Sequence, residues 1–128
     1  MSDISMALGD YLEALVLLGG TPEKPVRSVD VANKLGISKP SVSSAVSTLK
    51  RKCLVDQQYR SGITLTERGY ELGCGIVERH RIAERFLAEV LQLPDDQVQA
   101  ESAFIKYAIQ DESLPRWQEF VEREASLA

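Results

Sequence analysis

Four side chains in this 128-residue chain have the types and spacings of a metal-ligand set. Asp10 and Glu13 stand at i, i+3, so a helix over Asp10-Tyr11-Leu12-Glu13 brings both carboxylates to one face. His80, the single histidine, has Glu84 four residues on, again about one helical turn away. One imidazole with two or three carboxylates is a borderline-to-hard donor set, suited to Mn²⁺, Fe²⁺ or Zn²⁺. Each pair also has a plainer reading. Asp10 and Glu13 lie opposite Leu8, Leu12 and Leu15, as a solvated acidic surface would. His80 stands in the row Ile76, His80, Ala83, Leu87, as a packed core histidine would. Met6 and Leu17, however, share the side of Asp10 and Glu13. That first helix is then apolar nearly all round, and acids within it need partners.

A second group of residues suits a polyanion. In the stretch 39–52, Val42, Ala45, Val46 and Leu49 form one face, and Ser44, Ser47, Thr48 and Arg51 point the other way, with Ser41 and Ser43 on the flanks. Small hydroxyls and an arginine fit a major groove, where they hydrogen-bond phosphates or base edges. Lys39 at one end, and Lys50, Arg51 and Lys52 at the other, neutralise phosphates on either side of the groove. Arg60, at the tip of the hairpin that follows, reaches the adjacent backbone or minor groove, and Tyr59 packs or meets a sugar. The plain alternative is a solvated serine face with a basic run that keeps the chain soluble.

Charge sorts the two groups. The net charge is −4, but residues 1–66 hold eight Lys/Arg against six Asp/Glu, and residues 67–128 hold seven against thirteen. Within 24–60 the only acids beside eight basic residues are Asp30 and Asp56. A basic half facing an anion and an acidic half facing a cation or a partner are expected.

The elements that must position these residues follow from periodicity and punctuation. Leu8, Tyr11, Leu12, Leu15 and Leu18 give a helix over Ile4–Gly19, and the two glycines and two prolines of 20–27 give a loop. Ser28 is expected to cap a helix over Val29–Leu35, Gly36 to close it, and Pro40 to sit in the first turn of the next helix, Lys39–Lys52. Leu54–Tyr59 and Ile63–Leu65 read as strands joined by the turn Arg60-Ser61-Gly62. Thr66 caps a long helix from Glu67 to Gln92, interrupted near its start by Gly69, Gly73 and Gly75. Pro94-Asp95-Asp96 opens another to about Ile109, and after a break at Asp111–Pro115 a last helix covers Arg116–Ala125. Helix, glycine turn, helix and hairpin make a winged helix-turn-helix.

Other classes find little support. Hydrophobic residues at 44% and charged residues at 27% suit a globular chain. The longest apolar stretch, Ala14–Leu18, is far too short for a bilayer, and Met1–Met6 lacks the form of a signal peptide, so a cytoplasmic protein without a membrane role is expected. Cys53 and Cys74 form no disulfide framework or paired metal spacing; both are expected reduced and buried as small residues, with a redox role for Cys74 as the alternative. There is no Ser/His/Asp order, no glycine-rich phosphate loop and no HExxH, so no enzyme and no small organic substrate are inferred.

Several stretches together resemble one family. They are Asp10-Tyr11-Leu12-Glu13, Ser38-Lys39-Pro40-Ser41-Val42-Ser43, Leu65-Thr66-Glu67-Arg68-Gly69, His80-Arg81-Ile82-Ala83-Glu84-Arg85-Phe86-Leu87 and Ala108-Ile109-Gln110-Asp111. The chain is similar over nearly its whole length to the diphtheria-toxin-repressor family of metal-dependent repressors, in the short two-domain form of the manganese transport regulators. The segment from His80 to Leu87 is the most diagnostic. Leu65–Gly69 also occurs in multiple-antibiotic-resistance-type regulators, but those carry more helix before the winged unit.

The resemblance implies a mainly α fold: a winged helix-turn-helix DNA-binding domain over 1–66 and a helical dimerisation and metal-binding-like domain over 67–128, without the SH3-like domain of longer members. It implies a homodimer on a palindromic double-stranded DNA operator. It makes Asp10, Glu13 and His80 counterparts of manganese ligands, Glu84 a counterpart of an ancillary-site ligand, and Ser38, Pro40 and Ser44 counterparts of DNA contacts. It also places Gln99, Ala103, Lys106 and Tyr107 where further ligands are expected, leaving Glu101 beside that face as the remaining carboxylate. Two mechanisms stay open. A reduced site of Asp10, Glu13, His80 and Glu84, with Glu101 or water, senses Mn²⁺, Fe²⁺ or Zn²⁺. Alternatively no metal is used, Lys106 supplies the positive charge, and the chain is a metal-independent regulator; a winged-helix adaptor that does not bind DNA is the third reading.

Overall fold

The computed structural model describes residues 4–58 and 62–127. The elements run α1 (Met6–Leu17), β1 (Val26–Arg27), α2 (Ser28–Leu35), α3 (Lys39–Arg51), β2 (Val55–Gln58), β3 (Gly62–Leu65), α4 (Glu67–Arg85), a π-helical turn (Phe86–Val90), α5 (Asp95–Ala108) and α6 (Leu114–Leu127). Backbone contacts group the chain into two compact units, Met1–Gly75 and Ile76–Ala128. Among the described residues, no helix is long and apolar enough to cross a membrane.

In the N-terminal unit, α1 starts where Ser5 Oγ accepts the Leu8 N–H at 3.2 Å, and it ends two residues before Gly19. The expected loop 20–27 is corrected at its end, because Val26 and Arg27 form β1 against Ile63 and Gly62 of β3. Two residues carry no strand pattern of their own; the edge of β3 supplies the pairing. The expected Ser28 cap is also corrected. Arg27 is the N-cap residue and makes no side-chain cap bond, while Ser28 is already helical. The Arg27 guanidinium instead meets Asp30 at 3.3 Å across the first turn.

The helix-turn-helix corner forms as its residues demand. Gly36 closes α2 at φ 65°, in the left-handed region, and Ile37 N–H donates to Ala32 O at 3.1 Å. Ser38 caps α3 by accepting the Ser41 N–H at 3.2 Å, and Pro40 sits in the first turn. Cys53, at φ 61°, ends α3 as Leu54 N–H reaches back to Leu49 O at 3.0 Å. β3 lies between β1 and β2, with Val55 opposite Leu65 and Gln57 opposite Ile63. Gly62, expected in the turn, opens β3; Tyr59, Arg60 and Ser61 lie outside the described residues. Leu12, Leu15, Val31, Val42, Leu49, Leu54, Val55 and Ile63 fill one core at 1% exposure or less.

Thr66 ties the wing to α4. Its Oγ accepts the Gly69 N–H at 3.1 Å and donates to Cys53 O at 2.8 Å. Gly69 lies against β2's approach so closely that a Cβ there would stand 1.9 Å from Leu54 O. Gly69 therefore serves contact, and the glycines do not interrupt α4, which runs unbroken from Glu67 to Arg85.

The C-terminal unit departs from expectation after Arg85. The α-helix does not reach Gln92 but widens into the π turn, with Leu91 N–H donating to Phe86 O. Gln92 then adopts φ 54°, and Leu93 N–H closes the end on Leu87 O at 3.0 Å. Pro94 precedes α5, and α6 begins at Leu114, so Pro115 falls in its first turn and not in the break. Ile82, Ile109 and Val121 form the core with Phe86, Ile105, Leu114 and Trp117 around them. Phe86 meets Trp117 edge-on, with ring centroids 5.5 Å apart.

Candidate nucleic-acid interface and candidate metal centre

The apolar face of α3 fixes what the other face can present. Val42, Ala45, Val46 and Leu49 are buried, which turns Ser44, Ser47, Lys50 and Arg51 to solvent, together with Lys39, Pro40 and Ser41 at the N-terminal end. Ser38 and Ser41 hydroxyls lie 2.9 Å apart. Arg51 donates to Thr48 Oγ1 at 3.2 Å and to Ser47 Oγ at 3.4 Å, so its guanidinium is held along the exposed face. Tyr11 of α1 donates its hydroxyl to Ser41 O at 3.4 Å and so braces the start of α3. Burial raises the Tyr11 phenol above its ordinary value of 10.0. The whole face carries hydroxyls and cations and no acid. Arg60 lies outside the described residues.

The two cysteines differ. Cys53 is exposed, which corrects the expected burial: the left-handed residue that ends α3 is set at the surface. Cys74 is half-buried one turn from Tyr70, and its hydrogen bond holds the Tyr70 phenol above the ordinary value.

The candidate ligands fall into both units. In the N-terminal unit Asp10 is half-buried on α1 and Glu13 is buried, while Met6 and Leu17 stay exposed. In the C-terminal unit His80 Nε2 lies 3.6 Å from Glu84 Oε1, and Glu84 Oε2 accepts from Gln99 Nε2 at 3.1 Å. Glu101 is exposed. Lys106 is buried on α5 in one row with Val98 and Ser102, its ammonium 5.2 Å from the centre of the Tyr107 ring. Among the described residues, no three His, Cys, Asp or Glu side chains gather so as to hold a metal ion.

Arg79 is a residue that spacing alone did not single out. It is buried, donates from Nε to Ile109 O at 3.0 Å, and pairs with the Asp111 carboxylate. The signal was present: Arg79 stands three residues after Ile76 and four before Ala83, on their inward face. Of the apolar residues of this unit, Ile76, Leu87 and Val121 are buried, whereas Leu91, Phe104 and Phe120 are exposed. Phe86, Arg116, Trp117 and Phe120 line an open groove of about 360 Å³.

Comparison with known proteins divides the chain in the same sense. Residues 3–63 match the iron dependent repressor N-terminal DNA binding domain, and residues 66–124 match the iron dependent repressor metal binding and dimerisation domain. An HTH-type transcriptional regulator of Methanocaldococcus jannaschii is 31% identical over 94% of this chain and 96% of its own length. The iron-dependent repressor IdeR of Mycobacterium bovis is 35% identical over 72% of this chain, which spans 40% of that repressor. The structure of the manganese regulator SloR superposes with a TM-score of 0.75 at 26% identity, over 90% of this chain and 53% of SloR.

Proposed function

The chain belongs to the iron-dependent repressor family, and from that premise we propose that it is a homodimeric transcriptional repressor that inserts α3 into the major groove of a palindromic operator. The observation that carries the reading is the acid-free outer face of α3, where Ser38, Lys39, Pro40, Ser41, Ser44, Ser47, Lys50 and Arg51 stand outside a closed apolar core. Hydroxyls and Arg51 read base edges, while the lysines and the Ser38 end of the helix meet phosphates. Arg60, by its place in the sequence between β2 and β3, is a further basic residue assigned to this contact. The task is binding and not catalysis, and it belongs in the cytoplasm with the DNA. Exposed Leu91, Phe104 and Phe120 offer apolar surface to the second copy.

Relatives are named for iron and manganese, so a divalent ion is the regulator to test against the residues present. The donor set does not fit, because among the described residues no three of the candidates, Asp10 and Glu13 included, gather so as to hold an ion. In the C-terminal unit one imidazole and one carboxylate face each other, α5 adds an amide, a serine and a buried lysine, and the α5 carboxylates Asp95, Asp96 and Glu101 are all exposed. The proposed DNA recognition therefore uses no step through a metal.

Selection of bound duplexes from a random-sequence DNA pool tests the reading. The expected product is a two-fold symmetric site with half-sites about 10 bp apart centre to centre. No enrichment over the input pool, with a monomer by light scattering, would overturn it.

A further inference from the structure

The core of the C-terminal unit holds a lysine where a metal-binding domain needs anionic donors. The unit has one histidine and no cysteine, since Cys53 and Cys74 both fall in the N-terminal unit. Glu84 Oε2 accepts from Gln99 Nε2 at 3.1 Å, and Glu84 Oε1 is the carboxylate oxygen facing the buried His80 Nε2, 3.6 Å away. A second cross-link ties the same two helices further along, from Arg79 of α4 to Ile109 just past α5. His80 lies between Arg79 and Glu84 on α4, and Lys106 lies between Gln99 and Ile109 along α5. The two links thus bracket the histidine on one helix and the buried lysine on the other. Lys106 is 3% exposed, so little water screens its charge. An ammonium is a compact point charge that donates and cannot ligate, and it repels a divalent ion.

We propose that Lys106 is the resident cation of this domain and that the chain binds DNA as a metal-independent regulator. The proposal rests on the DNA-binding reading for its consequence, but not for its measurement at Lys106. The fixed charge supplies permanently what a bound ion would supply conditionally, so DNA affinity is not switched by metal supply.

Three measurements on the full 128-residue chain test it. First, EDTA-treated protein is dialysed against MnCl₂ or ZnCl₂ and its metal content read by mass spectrometry. The expected result is no stoichiometric uptake; one ion per chain overturns the proposal. Second, affinity for the duplex selected above is compared in EDTA and in MnCl₂. Allosteric coupling in a switched regulator is worth at least about fivefold, so a smaller change is expected and a larger one overturns the proposal. Third, melting with and without MnCl₂ is compared for the natural chain and K106E. Mn²⁺ is expected to raise the melting temperature of K106E by several degrees and to leave the natural chain unmoved, because only a folded state that binds the ion is stabilised by it. A folded K106E that ignores Mn²⁺, or a natural chain that responds, overturns the proposal. If K106E does not fold by circular dichroism, the dialysis result on the natural chain decides. Failure to bind DNA in every buffer would overturn the repressor reading, while dialysis and melting would still decide the role of Lys106.

Discussion

The two units spend their charged residues differently. In the N-terminal unit the core is nearly dry, with Glu13 and Thr64 its buried polar residues, and the basic residues of α3 stand outside it. In the C-terminal unit Arg79, Ser102 and Lys106 are inside, among Ile76, Ala83, Leu87 and Val98. The first arrangement separates stability from recognition, since α3 is held by one face and, in the function proposed above, meets DNA with the other. The second joins them, because a change of charge is also a change of core. Substitutions should divide accordingly.

The largest effect is expected at Leu49, fully buried behind the reading face of α3. L49A should cost about 3–4 kcal/mol of stability, from lost burial and the cavity left behind. Urea titration checks it; a loss under about 1 kcal/mol would mean that the dry core does not hold the reading helix. Next comes Arg79. R79A leaves the Ile109 carbonyl without its donor and should cost about 2–3 kcal/mol. D111A should cost under about 0.5 kcal/mol, because that carboxylate is 91% exposed and water replaces the partner. Equal losses for the two would show a surface ion pair and not a core bolt.

Arg51 sharpens the comparison from the other side. R51A should leave stability within about 0.5 kcal/mol. It should weaken DNA binding by about tenfold and reduce the slope of log affinity against log salt by about 1. A large loss of stability in R51A would break the separation of core from reading face. The smallest effect concerns Tyr11. Its phenol titrates above the ordinary value because of burial, so the folded state holds its proton longer than the unfolded state does. Stability is then unaffected by this group below pH 10.0 and falls as pH rises from there through the folded-state value. Y11F should remove part of that alkaline decline. Identical pH profiles for the two proteins would remove Tyr11 as its source.

The N-terminal unit was the more legible in sequence, for a local reason. Gly36, Ser38 and Pro40 act within a few residues of themselves, and they place α3 at Lys39–Arg51, one residue short of the expected Lys52. β1 escaped because two residues have no period, and its existence depends on Ile63 nearly forty positions away. In the C-terminal unit the helices were legible but their contents were not. A buried arginine is written in the same letter as a solvated one, and only its inward register among Ile76 and Ala83 marks Arg79. The inward place of Lys106 came from family resemblance, and its burial from packing. The π turn left no mark, since Phe86–Val90 is as good an α-helix sequence as its neighbours.

That turn has a consequence for lengths of chain. Five residues span what an α-helix covers with fewer, so the segment Phe86–Val90 stores slack in the helical path. Deleting exposed Ala88 would let the path close as ordinary α-helix and would leave the exit from it nearly where it is, so the Phe86–Trp117 contact should survive. Removing one residue from α4 ahead of Phe86, where no residue is spare, would instead rotate everything after it by about 100°. The same change of length is thus absorbed at the π turn and becomes a change of angle one turn earlier.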